Sequence, residues 1–301
     1  MILTVTFNPA IDHTYVIDED LESEKIMRTS ESHFDAGGKG INVASYLNTL
    51  GHDSLATGLL GGFTGDYIRT ELDREGLAHD FAEGGITRIN TTVAGDNEEY
   101  KLNHSGPETG EKAVERVLSK VSSRSPGKVV ISGSLPPGLD SSAVEEIASE
   151  VETDVAVDLH GDVLGELEEK YFLAKPNRNE LSEATGIDID SIQKCREAAE
   201  KLLDRGFENV LASMGEDGAL LVTEERALYA EGLDSDVADT TGAGDAMLSA
   251  MLAGLEENKD KKEAFRKALA FATLVVETPG TGKPEIEKMN DYVERVEVEE
   301  L

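Results

Sequence analysis

Cations are scarce in this chain: lysine and arginine number 28 against 61 aspartates and glutamates, a formal net charge of −33 over 301 residues. So anionic a surface argues against nucleic acid and anionic membranes as partners, because both would be repelled. It also makes any clustered lysine or arginine informative, since an anionic ligand needs local cations against a repelling background. Cysteine is nearly absent. Cys195 stands alone, so no disulfide framework exists and a reducing compartment is expected. Nowhere do 18 apolar residues run together, and the opening MILTVTFNPA has neither a basic flank nor a long apolar stretch. The expectation is a soluble, cytoplasmic protein.

Aromatic residues are also few, at 5%. Acidity with few aromatics can mark disorder, but apolar runs such as KVVIS, TDVAVDL and ENVLASM recur, and 39% of residues are hydrophobic. A folded protein with a solvated acidic shell fits better. An origin in high salt would screen its self-repulsion. The length suits one large α/β unit or two modest domains.

Several nucleotide and hydrolase signatures are missing. In the GGKG stretch, His33 stands where the first glycine of a phosphate-binding P-loop belongs, and Gly40 replaces its serine or threonine. GTGKPE (280–285) fails likewise, with Glu277 at the first position and Pro284 at the last. No Gly-x-Gly-x-x-Gly or Gly-x-Ser-x-Gly occurs. The six histidines show no ligand spacing and are expected at the surface or as caps.

What is present alternates between strand and helix patterns. ILTVTF (2–7), SLATGLLG, KVVIS (128–132), 154–159, 171–175 and 208–213 read as strands. Helices are predicted from AGGKG to Leu50, over 64–76, 110–123, 140–150, 190–205, 243–256, 260–276 and 285–296, with a hairpin across 218–230. Repeated β-α units imply a mostly parallel sheet with helices on both faces. A polar stretch runs to about Asp35, and 86–103 resembles two half-polar strands about a Gly-Asp-Asn turn, better suited to a flap than to a core.

Two loops combine glycines with a helix start: AGGKGIN (36–42) and TTGAGD (240–245). There the backbone can approach an anion, and the first helical amides point at it. Asp245 stands beside such amides, which favour its ionised form. In KPNRNE (175–180), Asn177 and Glu180 share one side of a first helical turn, placed either to cap that helix or to orient waters around magnesium. SMGEDGA (213–219) is a Gly-bracketed turn between strands, and SGSLPPG (132–138) ends a strand in a rigid bend that could face Ser134 to a ligand.

Together with NPAID (8–12), these segments in this order resemble the PfkB/ribokinase family of carbohydrate kinases over essentially the whole chain. NPAID, GGKG and the TRIN stretch (87–107) are similar to its phosphosugar branch, which contains 1-phosphofructokinase and tagatose-6-phosphate kinase. The resemblance implies an α/β, ribokinase-like three-layer sandwich: one kinase domain over 1–301 with a small β lid from about 10–34 and 86–104. It implies ATP-dependent phosphorylation of fructose 1-phosphate at the 6-hydroxyl, with Mg2+. Alternatives are a 6-phosphorylated ketohexose phosphorylated at C1, or a non-catalytic sugar-phosphate sensor. By the same resemblance Asp245 is the base, and Gly242, Ala243 and Gly244 form an anion hole. Asp12, Gly38, Lys39, Asn42, Arg88, Asn103 and Ser134 would bind the sugar phosphate, Arg88 through its phosphate. Lys101 departs from the family pattern and either adds phosphate affinity or faces solvent. Lys175, Asn177, Ser213, Gly215, Gly218 and Gly244 fall on the ATP side, with Glu180 on hydrated magnesium, and the helix around Phe271 to Val275 either walls the adenine or is an ordinary core helix. Exposed edges on the lid strands suggest a homodimer through the lid.

If the acidic shell is tuned to high salt, the thermal midpoint should climb as KCl is raised from millimolar to multimolar. A midpoint that stays flat across that range would remove the halophilic reading.

Overall fold

The computed structural model describes residues 1–17, 21, 23–29, 31–95, 98–278 and 284–301. Strand β1 (Ile2–Thr6) is buried at all five positions, the mark of a strand covered on both faces. Strands β2 (Ala10–Val16) and β3 (Glu31–Gly37) follow, then helix α1 (Lys39–Thr49), β4 (Ser54–Leu60), α2 (Gly62–Glu75), β5 (Ala82–Glu83), β6 (Arg88–Ala94) and β7 (Glu99–Leu102). Next come α3 (Glu111–Ser122), β8 (Lys128–Ser132), α4 (Ser141–Glu150), β9 (Asp154–Asp158), α5 (Gly161–Glu166), β10 (Leu173–Ala174), α6 (Arg178–Thr185) and α7 (Ile192–Leu203). The chain closes with β11 (Asn209–Ser213), β12 (Ala219–Thr223), β13 (Ala227–Ala230), α8 (Ala243–Glu256), α9 (Lys261–Val276), α10 (Met289–Arg295) and β14 (Glu299–Glu300).

Among the described residues, ten strands form one sheet in the order β14-β13-β12-β11-β10-β9-β8-β1-β4-β5. The run from β11 to β5 is parallel and the β11-to-β14 end is antiparallel. Strand side chains alternate between the two faces. Leu3, Val5, Val129, Ile131, Val155 and Val157 join one core with α3, α4 and α7. Ile2, Val130 and Ala156 join the other with α1, α8 and α9. The three-layer α/β architecture expected from the sequence is therefore present. Helix α8 is buried from Asp245 through Gly254, because α1 and α9 flank it.

The stretch 10–34, polar by composition and given as part of a small β lid only by the family resemblance, supplies most of a second sheet. Its order is β3-β2-β6-β7, with β2 antiparallel to β3 and parallel to β6. Its polar residues hid it: only Ala10, Ile11 and His13 of β2 are buried, and the first four positions of β3 are exposed. His13 corrects the surface assignment of the histidines. Its ring stacks on Phe34 with centroids 3.8 Å apart and lies 4.0 Å from Tyr15. The β6–β7 hairpin forms as expected, although Asp96 and Asn97 of its turn lie outside the described residues, as do parts of 10–34 and residues 280–283 of GTGKPE.

Other boundaries shift for local reasons. The strand expected over 171–175 shortens to β10, with Tyr171 left in an isolated bridge to Phe207 and Lys175 still donating to Val157 O before Pro176, which has no amide to extend the ladder. Helix 285–296 opens with a 3-10 turn at Ile286–Lys288 and becomes α-helical at Met289. Helix α5 was not foreseen.

Leu47, fully buried where α1 meets α8, is a sensitive point in this scaffold. Leu47→Ala should lower unfolding free energy by ~2–5 kcal/mol in urea titration. A shift under ~1 kcal/mol would mean the helix pair relaxes around the deletion.

Candidate active site

Strand ends and helix starts converge on one cavity of about 1390 Å³. That exceeds the ~300–1,000 Å³ of a pocket for one small molecule, leaving room for two ligands side by side. Its wall includes Asp12, Gly38, Lys39, Asn42, Arg88, Ser134, Lys175, Asn177, Ser213, Gly215, Gly218, Gly242, Ala243, Gly244 and Asp245. Every one of these was singled out from the sequence.

At the small-sheet end, Asp12 Oδ1 accepts from Asn90 Nδ2 at 2.9 Å, the two residues being in register across β2 and β6. Burial pushes the Asp12 pKa up, opposed by the Asn90 hydrogen bond and by Arg88. Gly37 allows this placement: a Cβ there would lie 2.0 Å from Asp12 Oδ2. Arg88 Nη1 donates to His104 O at 2.7 Å. Its Nη2 donates to Asn8 O at 2.9 Å and to Ser134 Oγ at 3.0 Å.

Helix α8 begins after Gly242, whose φ of 79° is left-handed and suits glycine. The amides of its first turn have no helical partner, so the helix presents donors and a positive dipole end beside the cavity. Asp245 sits in that turn, and its Oδ2 accepts from Asn42 Nδ2 at 2.8 Å. Burial pushes the Asp245 pKa up to about 7, helped by the charge of Asp158; Asn42, Lys39 and Lys175 pull the other way.

Asp158 was missed from sequence, where it looked like the polar end of strand VAVD. It is 1% exposed and sits between two cations. Lys39 Nζ donates to its Oδ1 at 2.8 Å, and Lys175 Nζ lies 3.3 Å from Oδ2, an ion pair without hydrogen-bond alignment. Burial would lower the Lys39 pKa, but Asp158 and Glu180 outweigh it and hold the ammonium protonated.

Asn177 and Glu180 form a capping box on α6. Asn177 Oδ1 accepts from the Glu180 amide at 2.9 Å, and Glu180 Oε2 accepts from the Asn177 amide at 2.8 Å. Glu180 Oε1 also accepts from Lys39 Nζ at 3.2 Å. Glu180 is buried and does not line the cavity. Both of its oxygens already accept from the protein, and the residue expected on hydrated magnesium sits behind the cavity wall, against Lys39. Among the described residues, no group of three His, Cys, Asp or Glu side chains is arranged for a metal ion.

Lys101 and Asn103 are not brought in. Both are exposed on or just after edge strand β7, and Lys101 pairs with Glu99 at 3.0 Å. At the far end, Leu269, Ala272, Thr273 and Val276 of α9 line the cavity, whereas Phe271 and Val275 face the core. The same helix is thus both wall and core, on different faces. Asn8, Asn90 and Arg178 also line the cavity and were not singled out.

Comparison with known proteins gives a consistent picture. The family model described as "pfkB family carbohydrate kinase" matches residues 5–289. A 1-phosphofructokinase of Haloferax volcanii is 45% identical over 299 residues, covering 99% of this chain and 98% of that protein. A D-tagatose-1-phosphate kinase of Bacillus licheniformis is 34% identical, with full coverage of both chains. Phosphofructokinase-2 of Escherichia coli, solved in complex with potassium, superposes with a TM-score of 0.91 at 28% identity over 98% of each chain.

The raised Asp245 pKa has a consequence for stability. The folded chain keeps this proton up to about pH 7, while an unfolded aspartate loses it near 3.8. The folded state therefore binds more protons between those values, and stability falls as pH rises through that window. Asp245→Asn should melt above the parent at pH 8, with the gain shrinking towards pH 4. Equal melting at pH 8 would show that Asp245 is not strained by its burial.

Proposed function

The chain belongs to the pfkB family of carbohydrate kinases, and on that premise we propose that it moves the terminal phosphoryl group of ATP to the 6-hydroxyl of fructose 1-phosphate. The product is fructose 1,6-bisphosphate. The observation that carries this reading is that Asp245 and Arg88 line one cavity, the acid at a helix N-terminus and the guanidinium at the opposite, small-sheet end. Phosphoryl transfer needs an aligned hydroxyl, an acceptor for its proton, and donors for the charge on the moving group. Asp245 takes the proton, and the Gly242, Ala243 and Gly244 backbone supplies donors. Arg88 and Ser134 hold the substrate phosphate, as suits a planar fork of donors. Asp12 and Asn42 bind sugar hydroxyls.

Lys175, Asn177, Ser213, Gly215 and Gly218 hold the nucleotide, and Lys39 and Lys175 neutralise its transferring end. Mg2+ keeps several of its own waters and binds mainly through nucleotide phosphates. Asp158, which lines the cavity, is the carboxylate fitted to orient such waters, with Glu180 acting behind it through Lys39. A second reading has one specific support: the full-length similarity to a D-tagatose-1-phosphate kinase favours tagatose 1-phosphate as an acceptor in the same reaction.

In this proposal the small sheet is a lid that shuts out water, which would otherwise accept the phosphoryl group. A homodimer through that sheet is supported by edge strand β7, exposed throughout, with Tyr100 and Leu102 at 50% and 64% exposure. A cytoplasmic location completes the proposal. No helix among the described residues is long and apolar enough to cross a membrane.

A coupled assay with ATP, Mg2+ and a panel of free and phosphorylated ketohexoses tests it. Fructose 1-phosphate should give the highest kcat/KM. Asp245→Asn should lower kcat by at least ~10²-fold, and the parent profile should fall away below about pH 7 as the base gains its proton. Residual activity within tenfold of the parent would refute the base, and turnover of none of the panel would favour a sensor.

A further inference from the structure

Asn8 touches three parts of the sugar end, and nothing above gives it a role. It follows β1, and only 3% of it is exposed. Its side-chain Nδ2 donates to Ser105 O at 2.9 Å and to Ser134 Oγ at 3.2 Å. A backbone carbonyl cannot donate, so the amide end facing Ser105 is the nitrogen, and the same nitrogen faces Ser134. Arg88 Nη2 donates to the same serine oxygen at 3.0 Å and to Asn8 O at 2.9 Å.

The Ser134 oxygen therefore receives two hydrogen bonds from groups that can only donate. A hydroxyl has two acceptor sites and one proton. With both sites filled, the proton has to point elsewhere, and none of the described residues accepts it. Ser134 lines the cavity. Serine, normally able to donate or accept, is thereby fixed as a donor and polarised by a neighbouring cation. A donor beside a guanidinium favours an acceptor-only, anionic partner: the oxygens of a phosphate over a sugar hydroxyl.

We propose that Asn8 is a positioning residue that commits the Ser134 hydroxyl to donate into the cavity, making the Ser134–Arg88 corner selective for the phosphate of a phosphorylated ketohexose. This rests on the kinase reading above. Without the Asn8 donor, one acceptor site of the Ser134 oxygen is empty, its proton no longer has to point into the cavity, and the corner loses its fixed polarity.

The test is a double-mutant cycle on steady-state kinetics with fructose 1-phosphate, fructose and ATP. Asn8→Asp keeps the side-chain shape but replaces the donor with an acceptor. It should raise the KM for fructose 1-phosphate at least ~10-fold, the scale of one hydrogen bond to a charged group. The KM for ATP and kcat should stay within about twofold, and discrimination against free fructose should shrink. In a Ser134→Ala background the same change should have a much smaller effect. Any direct repulsion by the new carboxylate acts in both backgrounds and cancels in the cycle. Equal effects in both backgrounds, or a parallel rise in the KM for ATP, would overturn the proposal. If Asn8→Asp does not fold, Asn8→Ala in the same cycle reads the same coupling. A parent enzyme that phosphorylates no ketohexose phosphate would instead overturn the kinase reading, and this proposal with it.

Discussion

The buried carboxylate of Asp158, held between Lys39 and Lys175, is the interaction on which the site depends. Lys39 opens α1 on the sugar side and Lys175 follows β10 on the opposite side. One anion at the end of β9 thus aims two cations at a common volume. In a chain with more than two acids for every base, lysines left free would be drawn to surface carboxylates, as Lys194 is to Glu197 and Lys128 to Asp154. Burial shields the Asp158 pairs from that competition and from salt screening. The same anion repels Asp245 and helps raise its pKa, so the group that orients the two lysines also tunes the neighbouring acid.

Much of this was legible in the sequence because the chemistry sits where glycine and helix starts punctuate it. GGKG, TTGAGD, KPNRNE and SMGEDGA announce turns at strand ends, and a doubly covered sheet brings such turns to one edge. Asp158 and Asn8 were not legible for the opposite reason. Asp158 ends an apolar strand and Asn8 follows one, so each looks like a polar terminus; only the side-by-side placement of β1, β8 and β9 reveals their partners. In the second sheet, β2 and β3 escaped pattern reading and were implied only by the family resemblance. Strand β3 is mostly exposed and β2 mixes polar with apolar residues, so neither carries the alternation that marks a half-buried strand.

Glu180 shows how a local interpretation is settled by the structure while its functional one stays a proposal. The sequence left it open as a helix cap or a magnesium partner. It caps α6 through the Asn177 amide with one oxygen and holds Lys39 with the other. Helix α9 resolves a similar ambiguity by having two faces, one against the core and one along the cavity.

The parallel pairing of β2 with β6 carries a consequence for how the molecule is made. The residues between them include α1, β4 and α2, all of which belong to the main body. The β2–β3 and β6–β7 pairs are local and antiparallel, but the parallel β2–β6 pair that joins them has no hairpin to seed it and closes only across those intervening elements. The junction of the two halves is therefore a late assembly: β2 can pair with β3 early, but its other edge waits for β6. Its polar make-up, which concealed it from pattern reading, is also what keeps that waiting strand from sticking to other nascent chains.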